Sequence, residues 1–509
     1  FMHAVFINDT EEEDQKMEHL IAEHHIGSVC FFHSRASAAT NFEGKKQIVH
    51  NEKSYERLKQ LIVRYQKAAK IPLLIAIDAE WGLAMRIENT PQYPYAITLG
   101  ALKKGNDPIY QIGKAIGMDC QNAGIHWNLA PVVDINNNPE NPVIGYRSFG
   151  DDKQDVSTKA EAFIKGMSDS GILNSIKHFP GHGDTATDSH LGLPVIDKSL
   201  KELKDNELHP FQHLIQKGVD SVMVGHLLLP QLDSEGPSTT SHKIITGLLR
   251  EQLGFNGVII SDALNMHAVS KTFVERGTLE AKAFAAGMDV LCFSEHVEEG
   301  ARTIIKQETQ ERIEESFHRV WKLKEKAFTH TTTTEELGWK TASSINTDVA
   351  QNCITELYGS PKLCGKVKDS KFLNLSINNG RPNLFSKGLE ERYGQVAWDA
   401  SDMELINNQL ADHENIVLAL FPPAVKPKNQ FGFDKKIVET VTTWIANKNV
   451  LIYLFGNPYV LDILGLRDSS NIVLVYQDFP EFQEVALQHF MGKVPANGAL
   501  PIQLKTFGI

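Results

Sequence analysis

Short apolar runs separated by long polar and amphipathic stretches dominate the first two thirds of the chain. They fall at Ala4–Ile7, Ile26–Phe32, Pro72–Asp78, Ile125–Pro131, Ile172–His178, Asp220–His226, Asn256–Asp262 and Met288–Phe293. Each is bounded by Gly, Pro, Asn or Asp, and each is too short for a buried helix, so they predict parallel strands between crossover helices. Eight such units before residue 330 predict a (β/α)8, TIM-type barrel; a doubly wound sheet is the alternative. Ile313, Phe317, Val320 and Trp321 then recur at helical spacing and predict a helix that completes this domain. The β-branched run Thr329–Thr334 suits a linker. Beyond it, runs at Phe372–Ile377, Ile416–Phe421, Val450–Phe455 and Ile472–Tyr476 predict a smaller α/β layered (αβα sandwich) domain. The expected division is a barrel over 1–328, a linker over 329–345 and a sandwich over 346–509.

Composition narrows the partners more than the fold. Among 509 residues, 51 Lys and Arg face 63 Asp and Glu, a net charge of −12 with no basic cluster. That argues against nucleic acid or an anionic membrane surface as partner. No apolar stretch is long enough to span a bilayer. Five widely spaced cysteines make no disulfide framework, and Cys30 and Cys292, inside apolar runs, are expected as buried free thiols. The sequence opens at Phe1-Met2 already inside a predicted strand, so an earlier segment, with any signal peptide, is expected to be missing. Cytoplasm and periplasm both stay open as locations.

In a barrel, chemistry gathers where strands end. Asp78, Lys177, His178, His226 and Asp262 all end predicted strands, and Arg147 lies in the loop after the fourth. The densest segment, Lys177–His190 (KHFPGHGDTATDSH), holds too many glycines, prolines and acids for a helix or central strand and predicts a polar loop over the barrel mouth. Its plain reading is a turn-rich connector. A metal reading would use His182, Asp184, Asp188 and His190. Their spacing gives no helical His pair, however, and glycines flank His182.

This segment resembles the signature of family-three glycoside hydrolases, in their β-N-acetylglucosaminidase branch. Asn128–Asp134 (NLAPVVD), Gly145–Phe149 (GYRSF), Ile77–Glu80 and Ser261–Leu264 are similar to further motifs of that family, in the family's order. The resemblance implies Asp262 as nucleophile, His190 as acid/base with Asp188 as its orienting partner, and Asp78, Arg86, Arg147, Lys177 and His178 as sugar-binding groups. It implies a retaining exo-β-N-acetylglucosaminidase acting on peptidoglycan fragments, GlcNAc linked to N-acetylmuramic acid or its anhydro form. Such an enzyme needs no cofactor and no metal, takes a small carbohydrate as its partner, and is expected as a monomer. An Asp–His pair suits the acid/base task because imidazole titrates near neutrality and a carboxylate fixes its tautomer. Competing readings are a β-glucosidase or an N-acetylglucosaminide phosphorylase of the same family. From other classes come a metal-dependent hydrolase and a non-catalytic sugar-binding protein. Two positions depart from the family pattern: Leu83 stands where an arginine is usual, and Ala263 where a second acid is common.

Overall fold

The structure is a computed structural model describing residues 1–35, 49–103, 105–185, 192–329, 336–357, 367–399, 403–466 and 471–505. It divides into two compact units. The first comprises Phe1–Tyr93, Ile109–Ile144 and Lys153–Ala342; the second comprises Pro94–Pro108, Gly145–Asp152 and Ser343–Ile509.

In the first unit, β1 (Met2–Phe6), β2 (Ser28–Phe32), β3 (Leu74–Ile77) and β4 (Trp127–Asn128) form one parallel sheet in that order. A second parallel sheet holds β5 (Ser175–Phe179), β6 (Ser221–Val224) and β7 (Val258–Ser261). Single parallel bridges continue the order: Trp127 with Leu173, and Val132 with Lys177, join the β4 and β5 regions. The eighth predicted run bridges β7 through Ile260–Val290 and β1 through Met2–Cys292. Helices such as Glu11–His24, Ser54–Ala68, Asp107–Ala123 and Lys153–Asp169 cross over between strands, as the long amphipathic stretches require. The first opens on a capping box in which Thr10 and Glu13 satisfy each other's backbone amides.

Strand periodicity sets the interior. Met2, Cys30, Leu74, Ala76, Trp127, Leu129, Leu173, Met223, Val258, Ile260, Val290 and Cys292 pack in one buried cluster. Alternate residues of a strand share a face. The residues two and four places further on, Asp78 after Leu74 and Ala76, and Asp262 after Val258 and Ile260, therefore continue the inward face beyond the apolar layer. Cys30 and Cys292 are free and buried, as expected, and so are Cys120 and Cys353; Cys364 lies outside the described residues.

The last helix of this unit, Gln310–Phe328, forms where its periodicity predicts, but its inward face keeps only part of the predicted stripe: Val320 packs against the buried cluster. It buries Ser316, Leu323 and Ala327, while Phe317 and Trp321 stack on each other at 5.6 Å and stay exposed. Of the expected linker, residues 330–335 lie outside the described residues, and helix Trp339–Cys353 begins within the remainder.

The second unit is built on a six-stranded sheet. With β8 (Thr355–Leu357), β9 (Phe372–Ile377), β10 (Ala397–Asp399), β11 (Asn415–Leu420), β12 (Asn449–Leu454) and β13 (Asn471–Leu474), the order is β10-β9-β11-β12-β13-β8. All pairs are parallel except β8 with β13. The four long strands are those that the apolar runs predict. The edge strands β8 and β10 have three residues each, too few to produce a run.

Candidate active site

Four strand ends of the first unit bring their polar residues together. Lys177, at 2% side-chain exposure, sets Nζ 2.8 Å from Asp78 Oδ1 and 2.8 Å from Glu80 Oε1. Arg86 donates through Nη2 to Asp78 Oδ2 at 3.1 Å and lies over the Phe32 ring at 4.0 Å. The stacked guanidinium is held by an aromatic face on one side and a carboxylate on the other. Burial by itself would raise the Asp78 carboxyl, but the Lys177 and Arg86 cations outweigh it and hold the group below the usual aspartate range.

A second set forms around Asp134, which is fully buried. Its carboxylate accepts from the backbone N–H of His178 at 3.1 Å and of His182 at 2.7 Å, and lies 2.7 Å from His178 Nδ1. Acceptance by a carboxylate places the proton of that ring on Nδ1. Burial opposes ionisation here too, yet His178 and His182 pull the Asp134 carboxyl down. His182 is pushed down to about 4, chiefly by burial and then by His178, so it is neutral at pH 7. Thr185 Oγ1 sits 2.8 Å from its Nδ1.

The strand order explains this grouping. Between Lys177 and Phe179 the register of β5 against β6 shifts, and the Lys177–His178 and Phe179–Pro180 peptides are cis. Lys177 reaches Asp78 and Glu80 beyond β3 while its neighbour His178 reaches Asp134 beyond β4, so adjacent residues serve different carboxylates. The loop that follows approaches the Asp134 segment closely: a Cβ on Gly183 would stand 1.6 Å from the Ile135 carbonyl oxygen. Asn141 donates to the carbonyls of His182 at 2.9 Å and Gly183 at 3.2 Å.

Asp262 follows β7 directly. Its own N–H donates to the Val224 carbonyl at 2.9 Å, and its Oδ1 accepts the Ala263 N–H at 2.7 Å. Two buried groups register its place. Burial foremost, with Asp78 and Asp262 among the contributing charges, raises the Cys292 thiol, and His182 feels Asp262 as a stabilising anion. Asp78, Lys177, His178 and Asp262 are therefore gathered at one end of the strands, with Arg86 beside them. Arg147 lies in the turn Gly145–Arg147, which belongs to the second unit. Asp188 and His190 lie outside the described residues.

Glu80 and Asp134 are site residues that the sequence reading left without a role. Asp134 had a signal, since it ends an apolar stretch within NLAPVVD just as Asp78 ends its own. Glu80 had its place in the family-like motif Ile77–Glu80, which gave it no role. Among the described residues no three His, Cys, Asp or Glu side chains form a metal-ligating cluster. Asp184 pairs instead with Lys198 at 2.6 Å.

The pattern described as glycosyl hydrolase family 3 N terminal domain matches residues 3–323. Beta-hexosaminidase A of Pseudoalteromonas piscicida is 35% identical over 292 residues, 54% of this chain and 47% of its own length; the chain thus spans about half of that relative. The beta-N-acetylglucosaminidase/beta-glucosidase of Cellulomonas fimi is 29% identical over 489 residues, 87% of this chain and 85% of that protein. The solved family 3 beta-N-acetylglucosaminidase from Paenibacillus sp. str. FPU-7 shares the fold, with a TM-score of 0.79 at 24% identity over 99% of this chain and 97% of its own. With the family pattern covering residues 3–323 and the fold shared along the chain with the Paenibacillus enzyme, the chain belongs to glycosyl hydrolase family 3.

Proposed function

We propose that the chain is a retaining exo-β-N-acetylglucosaminidase that removes terminal β-linked GlcNAc from peptidoglycan fragments, GlcNAc–MurNAc or its anhydro form. Asp262 is the nucleophile and His190, oriented by Asp188, the acid/base. Asp78, Arg86, Arg147, Lys177 and His178 bind the sugar. The observation that carries the reading is the position of Asp262. Its carboxylate continues the inward face of β7 beyond Ile260, with one oxygen tied to the following amide at 2.7 Å. A nucleophile held by its own backbone needs little reorganisation before attack.

In the first step the Asp262 carboxylate attacks the anomeric carbon while the bond to the aglycone oxygen breaks. His190 gives that oxygen its proton. In the second step His190 takes a proton from water, which attacks the glycosyl ester, and Asp262 departs as carboxylate. The paired Asp78 carboxylate retains lone pairs for sugar hydroxyls, since Lys177 and Arg86 occupy one direction at each oxygen. An imidazolium acid also avoids repelling the carboxylate of a muramic acid leaving group.

The relative from Cellulomonas fimi is named for both glucosaminide and glucoside cleavage, so the aryl glucoside is the competitor to measure. Turnover of aryl N-acetylglucosaminide should exceed that of the glucoside; the reverse order refutes the substrate assignment. Trapping with a fluorinated N-acetylglucosamine donor, followed by peptide mapping, should find the adduct on Asp262, and an adduct on any other residue refutes the mechanism. His190→Ala should slow substrates with poor leaving groups more than activated aryl ones. Equal losses on both would remove its role as acid.

A further inference from the structure

His226 lies two residues beyond β6, is fully buried, and has no task in the steps above. Its ring joins the turn that holds Thr239 to the residue that follows the nucleophile. Nε2 lies 2.9 Å from the Ala263 carbonyl oxygen and Nδ1 lies 2.5 Å from Thr239 Oγ1. A carbonyl only accepts, so the proton is on Nε2; in the neutral ring Nδ1 then accepts from the Thr239 hydroxyl. Thr239 is itself fixed within the turn Ser238–Thr240. There Ser238 Oγ donates to the Gly225 carbonyl at 2.5 Å and accepts the Leu227 N–H at 3.0 Å.

The peptide after Ala263 is thereby held at both ends, because its N–H, on Leu264, donates to the Cys292 carbonyl at 2.9 Å. On the other side of Asp262, its own N–H is held by Val224. The Ala263 amide in turn fixes Asp262 Oδ1. Removing the His226 donor would leave a carbonyl without that partner and let the chain tilt about Ala263, carrying with it the amide that orients the carboxylate.

We infer that His226 is a positioning residue for the nucleophile: its ring Nε2–H holds the Ala263 carbonyl so that the Asp262 carboxylate keeps its line of attack. This rests on the assignment of Asp262 above. The test compares H226Q, H226N and T239V by two measurements, the rate of trapping by the fluorinated N-acetylglucosamine donor and the affinity for free N-acetylglucosamine. A Gln amide reaches the place of Nε2 and still donates to Ala263; an Asn amide matches only Nδ1. H226N should trap on the order of 10²-fold more slowly, the scale of a small misplacement of reacting groups, with sugar affinity nearly unchanged. H226Q should keep most of the rate. T239V, which retains the ring but not the hydroxyl that orients it, should lose about tenfold. Trapping at the wild-type rate in H226N or in T239V overturns the inference, and so does a parallel loss of sugar affinity, which would mark a merely structural role. If H226N does not fold, T239V decides alone. No adduct in the wild-type protein refutes the nucleophile assignment and the inference together, whereas an adduct formed at unchanged rate in the variants refutes only the latter.

Discussion

Replacing Lys177 with Met tests the charge balance of the site. The ammonium sits 2.8 Å from two carboxylates, Asp78 and Glu80, with side-chain exposures of 2%, 14% and 6% for Lys177, Asp78 and Glu80. At an effective dielectric of ~20, each contact is worth about 6 kcal/mol of Coulomb attraction. Desolvation of the three groups, several kcal/mol per ion, offsets most of it. Removing one partner does not restore that desolvation, so Lys177→Met should cost about 3–5 kcal/mol at pH 7. Urea unfolding followed by tryptophan fluorescence is the assay, with the first unit's transition as the readout. The sign of the pH dependence is a stricter check. In the wild-type protein Asp78 is depressed below 3.8, so its contribution is present above that value and lost as the pH falls through the folded pKa. Without Lys177 the two carboxyls shift upward and take up protons on folding, so the variant gains stability on acidification where the wild type does not. The deficit should therefore shrink between pH 7 and pH 4, and E80Q added to K177M should recover a large part of it. A loss below about 1 kcal/mol, or one that does not change with pH, would refute the reasoning.

Two further changes probe the loop root. Gly183→Ala puts a Cβ 1.6 Å from the Ile135 carbonyl oxygen. The loop must move, costing about 1–3 kcal/mol as overpacking and lowering activity more than melting temperature; unchanged activity would show that the close approach is not needed. His182, pushed down to about 4 from 6.5, binds protons more weakly folded than unfolded. Its contribution is therefore complete above pH 6.5 and lost as the pH falls towards 4, on the order of 3 kcal/mol. His182→Gln should flatten the stability profile in that window, and an identical slope in variant and wild type would contradict the assignment.

The sequence by itself determined the longer strands and the phase of their side chains, while their order was left between a barrel and a doubly wound sheet. Apolar runs bounded by turn residues report burial on both faces, and alternation along a strand then dictates that Asp78 and Asp262 continue the inward face. Those are local rules, and the residues that obey them were legible. What only tertiary structure decided lies in pairs far apart in the chain. Lys177 meets Asp78 across 99 positions, and Asp134 meets His178 and His182 only because neighbouring strand ends converge. His226 was visible as a strand end, but its task depends on which carbonyl lies within reach of Nε2. The same limit appears in the helix Gln310–Phe328. Its spacing predicted the helix, yet Phe317 and Trp321 are exposed while Ser316 is buried, since periodicity fixes the width of a stripe and the packing neighbours decide which face they cover.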